Sequence, residues 1–314
     1  MFIHYALVGF ALVVSTTIVR GQPSTIAQDT ASLAETRTKA EAGDPEAQSS
    51  LGWAYYNGDG VAEDAVEAVK WFRRSAEQGN PSGQNRLGVA YQYGKGVPKD
   101  VAQALTWYRK AADQGLVQAQ LNLAWTYNGA LGVPRDYAQA AVWYRKAAEQ
   151  GHAGAQSDLG LAYANGEGVK KDKREAERWF QKASDQGYAV ATFRLASMYW
   201  NEEFGGGGVI GRVAIDYFEK AAAQRYPLSA VTLGEIYTRR TRYTARDDQQ
   251  ACMWTVIAET LDKRNEWERR QPAATAEMRQ KLPELLIGVR RSLTEQQLKD
   301  CDGKAREWLD AHTK

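Results

Sequence analysis

Leu51-Gly52, Leu87-Gly88, Leu123-Ala124 and Leu159-Gly160 stand 36 residues apart, and the same interval separates four tyrosines, Tyr55, Tyr91, Tyr127 and Tyr163. Val61, Val97, Val133 and Val169 keep it, as do Asp64, Asp100, Asp136 and Asp172, and Trp71, Trp107, Trp143 and Trp179. A fixed period of about 20 to 50 residues marks stacked supersecondary units, none of which can bury its apolar side alone. Such a chain presents surface rather than enclosing a reaction centre.

Each unit reads as two helices. Ala47, Leu51 and Tyr55 recur at four-residue spacing and share one face, and Gly52 leaves room for a second helix to come close. Asn57-Gly58-Asp59-Gly60 ends that helix, since glycine accepts the positive φ of a C-terminal cap, and Val61 is expected to plug the core beneath the turn. Asp64 stands where an N-cap belongs, and alanine there is expected to cost about 1 kcal/mol. The second helix carries Ala68, Trp71, Phe72, Ser75 and Ala76, and stops at Gln78-Gly79; Gly115, Gly151 and Gly187 are read as the equivalent stops.

The pattern Ala-x3-Leu-Gly-x2-Tyr-x2-Gly-x-Gly-Val-x2-Asp-x3-Ala-x2-Trp-x4-Ala-x2-Gly resembles the Sel-one-like repeat family, kin of tetratricopeptide repeats with a longer glycine-bearing turn. The resemblance implies a right-handed α-solenoid of helix-turn-helix repeats, about six of them, whose concave face is lined by the first helices and serves as a scaffold or adaptor. It places the repeats at 43–78, 79–114, 115–150, 151–186, 187–224 and 225–262. Repeat three departs from the pattern at Gly129-Ala130, repeat five runs two residues long with Tyr217 in the tryptophan slot, and repeat six, beginning at Arg225, lacks the turn glycines.

Both ends read as caps. Residues 33–42 form a lone second helix over the first repeat, and 22–32 a polar linker. Residues 263–314 hold capping helices. Met278, Leu282, Leu285, Leu286, Val289 and Leu293 predict a helix over about 273–292, in which Pro283 removes an amide bond; a bent helix and two short ones are both open. Thr294 with Gln297 is a capping box for a last helix, striped by Leu298, Cys301, Ala305 and Trp308. That ending also resembles the tail of many bacterial members of the family.

Residues 5–19 are almost wholly apolar yet short for a membrane span, and Val19-Arg20-Gly21 fits a signal-peptidase site. The reading is a periplasmic or secreted protein with residues 1–21 as signal peptide. No basic residue precedes the run and Arg20 follows it, so an inner-membrane anchor formed by 5–19, or a spurious start codon, stays open. In an oxidising compartment Cys252 and Cys301, the only cysteines, could close a loop of about 50 residues worth about 4 kcal/mol in the chain-entropy model; two buried free thiols are the alternative.

Chemistry is sparse. The three histidines are His4, in the export segment, His152, in a variable loop slot shared with Asn80, Leu116 and Tyr188, and His312, in the tail. No catalytic residue, cofactor site or metal set at ligand spacing is expected. Gly206 to Gly211 matches GxGxxG but follows no strand, and reads as a repeat turn. Asp247-Asp248 and Glu202-Glu203 read as cap and turn residues rather than acid and base. A net charge of +2 and a pI near 8.3 give no nucleic-acid footprint, and Arg239, Arg240, Arg242 and Arg246 read as a solvated turn or a contact for an anionic partner. A cysteine-rich branch of the family, some of whose members are linked to β-lactam binding, carries a Cys pair in each repeat; this chain lacks those pairs, so the resemblance does not carry that activity over.

The variable surface remains. By helical geometry and resemblance to tetratricopeptide repeats, positions 46, 49, 53 and 56 of each unit are expected to face the groove. One row reads Trp53, Val89, Trp125, Leu161, Ser197, and the next Tyr56, Gln92, Asn128, Ala164, Trp200. Trp53, Tyr56, Gln92, Trp125, Asn128 and Trp200 are the candidate partner contacts, since aromatic residues dominate interface hot spots; inter-helix packing is the competing role. The expected function is a non-catalytic scaffold or adaptor of the bacterial envelope for a protein or peptide partner, with no nucleic acid and with membrane contact only through an uncleaved N-terminus. The alternatives are a cell-wall or β-lactam hydrolase and a structural spacer.

Overall fold

The computed structural model describes residues 24–203, 209–238, 247–263 and 272–312, which are helical and contain no strand. Helix α1 is Ser24–Glu41. Two-helix units follow: α2 (Pro45–Asn57) with α3 (Ala65–Glu77), α4 (Pro81–Tyr93) with α5 (Val101–Asp113), and α6 (Val117–Tyr127) with α7 (Tyr137–Glu149). Next come α8 (Ala153–Asn165), α9 (Lys173–Asp185), α10 (Ala189–Glu203), α11 (Val209–Ala223), α12 (Pro227–Thr238) and α13 (Asp248–Lys263). Helices α14 (Pro272–Arg291) and α15 (Glu295–His312) end the described chain. Helices α1 to α7 pack each on the next, and so do α9 to α14, the architecture of an α-solenoid.

Two compact units divide the chain, one running to Ala155 and taking in Asn165–Lys171, the other made of Gln156–Ala164 and the residues from Asp172 onward. In the first unit the pairing of α2 with α3 rests on a glycine notch. A Cβ at Gly52 would lie 2.7 Å from Phe72 Cδ1 and 3.0 Å from the Ala68 carbonyl, and one at Gly88 2.7 Å from Tyr108. Gly160 and Phe180 repeat the fit in the second unit. Phe72 is completely buried, as are Leu51, Leu87, Leu123 and Leu159, the residues just before the notch. The aromatic edge fills the space that a side chain at the glycine would take, so the ring packs directly on the backbone of the facing helix.

Polar contacts repeat with the same period. The second helix of a unit leaves its last carbonyls without intrahelical donors. Gln48 Nε2 donates to Ala40 O at 3.1 Å, Gln84 to Ala76 O and Gln120 to Ala112 O, both at 3.3 Å. The glutamine oxygens in turn accept from Gln78, Gln114 and Gln150, at 2.7, 2.9 and 2.9 Å. A second series joins each second helix to the next first helix, with Arg37, Arg73 and Arg109 donating to the hydroxyls of Tyr55, Tyr91 and Tyr127 at 2.8 to 2.9 Å.

The aspartates cap as expected: Glu67, Gln103 and Gln139 amides donate to Asp64, Asp100 and Asp136 at 2.9 to 3.0 Å. The variable loop slot is a correction. Asp44, Asn80 and His152 are themselves N-caps of the first helices, accepting from the Ala47, Gly83 and Ala155 amides, whereas Leu116 makes no side-chain cap. Gly43, Gly79, Gly115, Gly151 and Gly187 have the positive φ of helix stops, and Arg225, at φ 64, fills that slot before α12. In repeat three α6 ends early in a 3-10 turn over Ala130–Gly132, and Leu131 takes a φ of 62.

At the N-terminus, α1 begins at Ser24, so the stretch expected as a linker is helical from there. Its alanines and the absence of Gly or Pro from Ser24 to Glu41 favour propagation. The signal segment, Arg239 to Arg246 and Gly206 to Gly208 lie outside the described residues. At the C-terminus α14 runs unbroken through Pro283 as one helix. The capping box forms, with the Gln297 amide donating to Thr294 Oγ1 at 3.3 Å and the Thr294 amide to Gln297 Oε1 at 2.9 Å. Cys252 and Cys301 are joined in a disulfide that ties α13 to α15, both residues fully buried beside Ala251 and Val289. Trp308 meets Trp254 edge-on, with ring centres 5.1 Å apart.

Gly88→Ala is expected to destabilise the protein by about 1–3 kcal/mol, because Tyr108 and the Ala104 carbonyl must move; chemical denaturation measures it. Leu116→Asn, which supplies the missing cap of α6, is expected to add about 1 kcal/mol in the same assay. Removing the disulfide with Cys252→Ala and Cys301→Ala together is expected to cost about 2–4 kcal/mol, seen as a lower melting temperature than that of the oxidised protein.

Candidate partner-binding face

On the first helices of the first unit, slot 53 is half open, as are slots 50 and 55. Trp53, Val89 and Trp125 are half-buried, between the sealed Leu51, Leu87 and Leu123 on one side and Ala54, Ala90 and Thr126 on the other. The helical step dictates this, since side chains two positions along point away from the second helix that seals their neighbours.

Around Trp53 the structure assembles a layered cluster. The Trp53 and Tyr56 rings stack with centres 5.6 Å apart and planes 11° from parallel. The Arg86 guanidinium lies 5.2 Å from the centre of the Trp53 ring, and the Lys95 ammonium 4.3 Å from that of Tyr56. Two cations thus flank two stacked π systems, an arrangement that the negative ring faces favour. Lys95 is further held by the Tyr56 carbonyl at 2.7 Å and by Glu63 at 2.9 Å, and Arg86 by Ser49 Oγ at 2.8 Å. Burial lowers the proton affinity of Arg86, with Glu46 acting weakly the other way, and Glu46 itself accepts from Asn80 Nδ2 at 2.8 Å.

Other expected groove positions are sealed. Tyr56 is only 8% exposed, pressed against Phe72 at 5.9 Å, and Gln92 is buried with its Oε1 accepting from the Tyr108 hydroxyl at 2.6 Å. Slot 49 is likewise closed at Ser49 and Asn85, because the neighbouring first helix reaches back to it: Arg86 to Ser49, and Asn122 to Asn85 at 2.9 Å. The row through Tyr56 and Gln92 is therefore packing at those two residues, where the aromatic plugs Phe72 and Tyr108 come up from the second helices. Asn128 is half-buried at the C-cap of α6. Trp200, in the second unit, packs partly buried against the cluster that contains Phe193 and Phe218.

Burial raises the Tyr108 phenol well above its usual value, with smaller contributions from Tyr93 and Tyr56, so the hydroxyl stays a donor to Gln92. In the second unit Arg194 donates to Ser157 Oγ at 2.8 Å and pairs with Asp158 at 3.0 Å. Burial works against its charge, but Asp158 together with Tyr188 and Tyr226 holds its proton affinity above the ordinary value. Arg86 and Lys95 escaped the sequence reading, although slot 50 carried a signal: it reads Ser50, Arg86, Asn122, Asp158, Arg194, too polar and too varied for a packing position.

Among the described residues no group of three or more His, Cys, Asp or Glu side chains is placed to hold a metal ion. No described helix is long and apolar enough to cross a membrane.

Stacked helix pairs carrying a half-open aromatic row define a helical-repeat protein of the interaction class. The Sel1 repeat family model matches residues 45–80, 81–116, 117–152, 153–188 and 189–226, and the chain belongs to this family. Sel1 repeat solenoids are in general protein-binding scaffolds. The sixth pair, α12 with α13, lies beyond the matched repeats and keeps the notch at Gly234. Among solved structures, a Sel1 repeat protein of Oxalobacter formigenes is 32% identical, with a TM-score of 0.58 over 70% of this chain and 89% of its own. A protective antigen of uropathogenic Escherichia coli with an SLR fold is 25% identical, with a TM-score of 0.45 over 90% of this chain and 80% of its own. An immunity protein of Pseudomonas aeruginosa is 24% identical, with a TM-score of 0.40 over 69% of this chain and 82% of its own. No curated protein sequence matches the chain.

Proposed function

We propose that this protein is a non-catalytic adaptor of the bacterial envelope that holds a partner protein or peptide against the first helices of its repeats, with Trp53 and Trp125 as anchors. The observation that carries the reading is the half-open slot 53 between sealed neighbours, occupied by two indoles in three successive repeats. A tryptophan that is half open and already braced by its own scaffold loses little conformational freedom on binding, and such rings dominate interface energetics. The envelope assignment, periplasmic or secreted, is supported by the apolar run at 5–19 and by the buried Cys252–Cys301 bridge, since disulfides persist in oxidising compartments. An inner-membrane anchor formed by the same run is the variant of this proposal.

Co-purification from envelope extracts tests it. The wild-type chain is expected to retain a partner that Trp53→Ala with Trp125→Ala releases, at a loss of about 2 kcal/mol or more in affinity and with unchanged helicity by circular dichroism. A partner that stays bound to the double variant would refute the anchoring role. Absence of any partner from both preparations would favour a structural spacer.

A further inference from the structure

Arg86 and Arg194 occupy the same slot three repeats apart and are built differently. Each donates at 2.8 Å to a serine of the preceding first helix, Ser49 and Ser157 respectively. Arg194 then has Asp158 at 3.0 Å, so its charge is matched within the fold. The slot that Asp158 fills is Ser50 in the earlier repeat, and among the described residues no carboxylate lies within salt-bridge distance of Arg86. Glu46, the acid that influences it, is engaged by Asn80. The neighbouring cation differs too, for Lys95 is paired with Glu63. A half-buried guanidinium is costly to leave without a counter-charge, and its planar fork suits a carboxylate better than any other common protein anion.

We propose that Arg86 is the specificity determinant of the Trp53 face, and that the partner segment it receives is an acidic peptide, whose Asp or Glu carboxylate pairs with the guanidinium while an adjacent apolar side chain rests on the Trp53 ring. The inference rests on the partner-binding reading above and adds the chemistry of the partner. Charge complementarity carries it: the repeat scaffold supplies its own acid at Asp158 and omits it at Ser50. Tyr93, 55% exposed, stands about two helical turns after Arg86 on α4 and so lies on the same side of that helix.

The test uses the full chain on an array of 12-residue peptides in two matched pools, one with Asp and Glu flanking apolar residues, the other with Asn and Gln in their place, beside a 12-base-pair DNA duplex. Expected are hits from the acidic pool, with affinity lowered at least about tenfold by Arg86→Gln and by exchanging the peptide's acid for its amide. Ser50→Asp, which recreates the internal pairing of Arg194, is expected to lower affinity as much while leaving the melting temperature unchanged or higher. That variant separates lost charge recognition from lost folding. Neutral peptides bound equally by wild type and Arg86→Gln, yet released by Trp53→Ala, would overturn the acidic assignment and leave the groove standing. Failure of both pools would overturn the two together, and binding of the duplex alone, lost in Arg86→Gln, would replace the peptide with nucleic acid.

Discussion

The structure depends on one contact, the edge of an aromatic ring laid on a glycine of the partner helix. Phe72 on Gly52, Tyr108 on Gly88 and Phe180 on Gly160 set the distance between the two helices of their repeats, and a Cβ at any of these glycines would overlap the ring. The remaining features follow from that spacing. The leucines beside the notch become fully buried, the glutamines come within reach of the preceding helix end, and the arginine of one repeat meets the tyrosine of the next. Packing density so high leaves the interior intolerant of added volume at these glycines; repeat three carries Ala124 in the notch slot, and its first helix is the shortened one, followed by Leu131 at φ 62.

A repeat scaffold of this kind divides its positions between those that close the solenoid and those left to vary. Glutamine and arginine series do the closing work in polar form: the glutamines add a second donor to helix-end carbonyls that the stop glycines already serve, and the arginines reach the tyrosine hydroxyls. The varied slots then differ from repeat to repeat without disturbing the backbone. Slot 50 shows this most clearly, carrying a self-neutralised Arg194 in one unit and Arg86 beside a tryptophan in the other. The family's general role as a protein-binding scaffold sits naturally with such a division.

Much of the helical plan was legible from the 36-residue period. The paired helices, the aspartate caps and the glycine stops lie where Leu51, Asp64, Gly79 and their equivalents predict them. The last helix opens at the Thr294 capping box for the same reason: these are local signals, decided within a turn or two of chain. Other features were in the chain but not recognised. Gln48 and Gln78 also recur every 36 residues, and their meaning becomes visible only when the carbonyls they serve are located. Likewise Asp44, Asn80 and His152 share a slot that looks variable by residue type, yet each accepts from a helix amide there, with Leu116 the exception. Helix α1 starts earlier than its echo of the repeat suggests, because alanine-rich chain propagates a helix without any repeat pattern.

The candidate face was the least legible part. Helical geometry put slots 49, 53 and 56 on one side of the first helix, yet Tyr56, Gln92 and Ser49 are sealed, while Trp53 and Trp125 remain half open. Periodicity reports the direction of a side chain from its own helix axis and nothing about what the neighbouring helix brings against it. By itself the amino-acid order determined the pairing of helices in each repeat, the aspartate caps and glycine stops, and the rows that face inward, because those follow from local propensity and spacing. Only the tertiary structure decided which outward residues stay open, that Cys252 meets Cys301, and that Arg86 lies over Trp53 with no described carboxylate at salt-bridge distance, since each depends on residues distant in the chain being brought within a few ångströms.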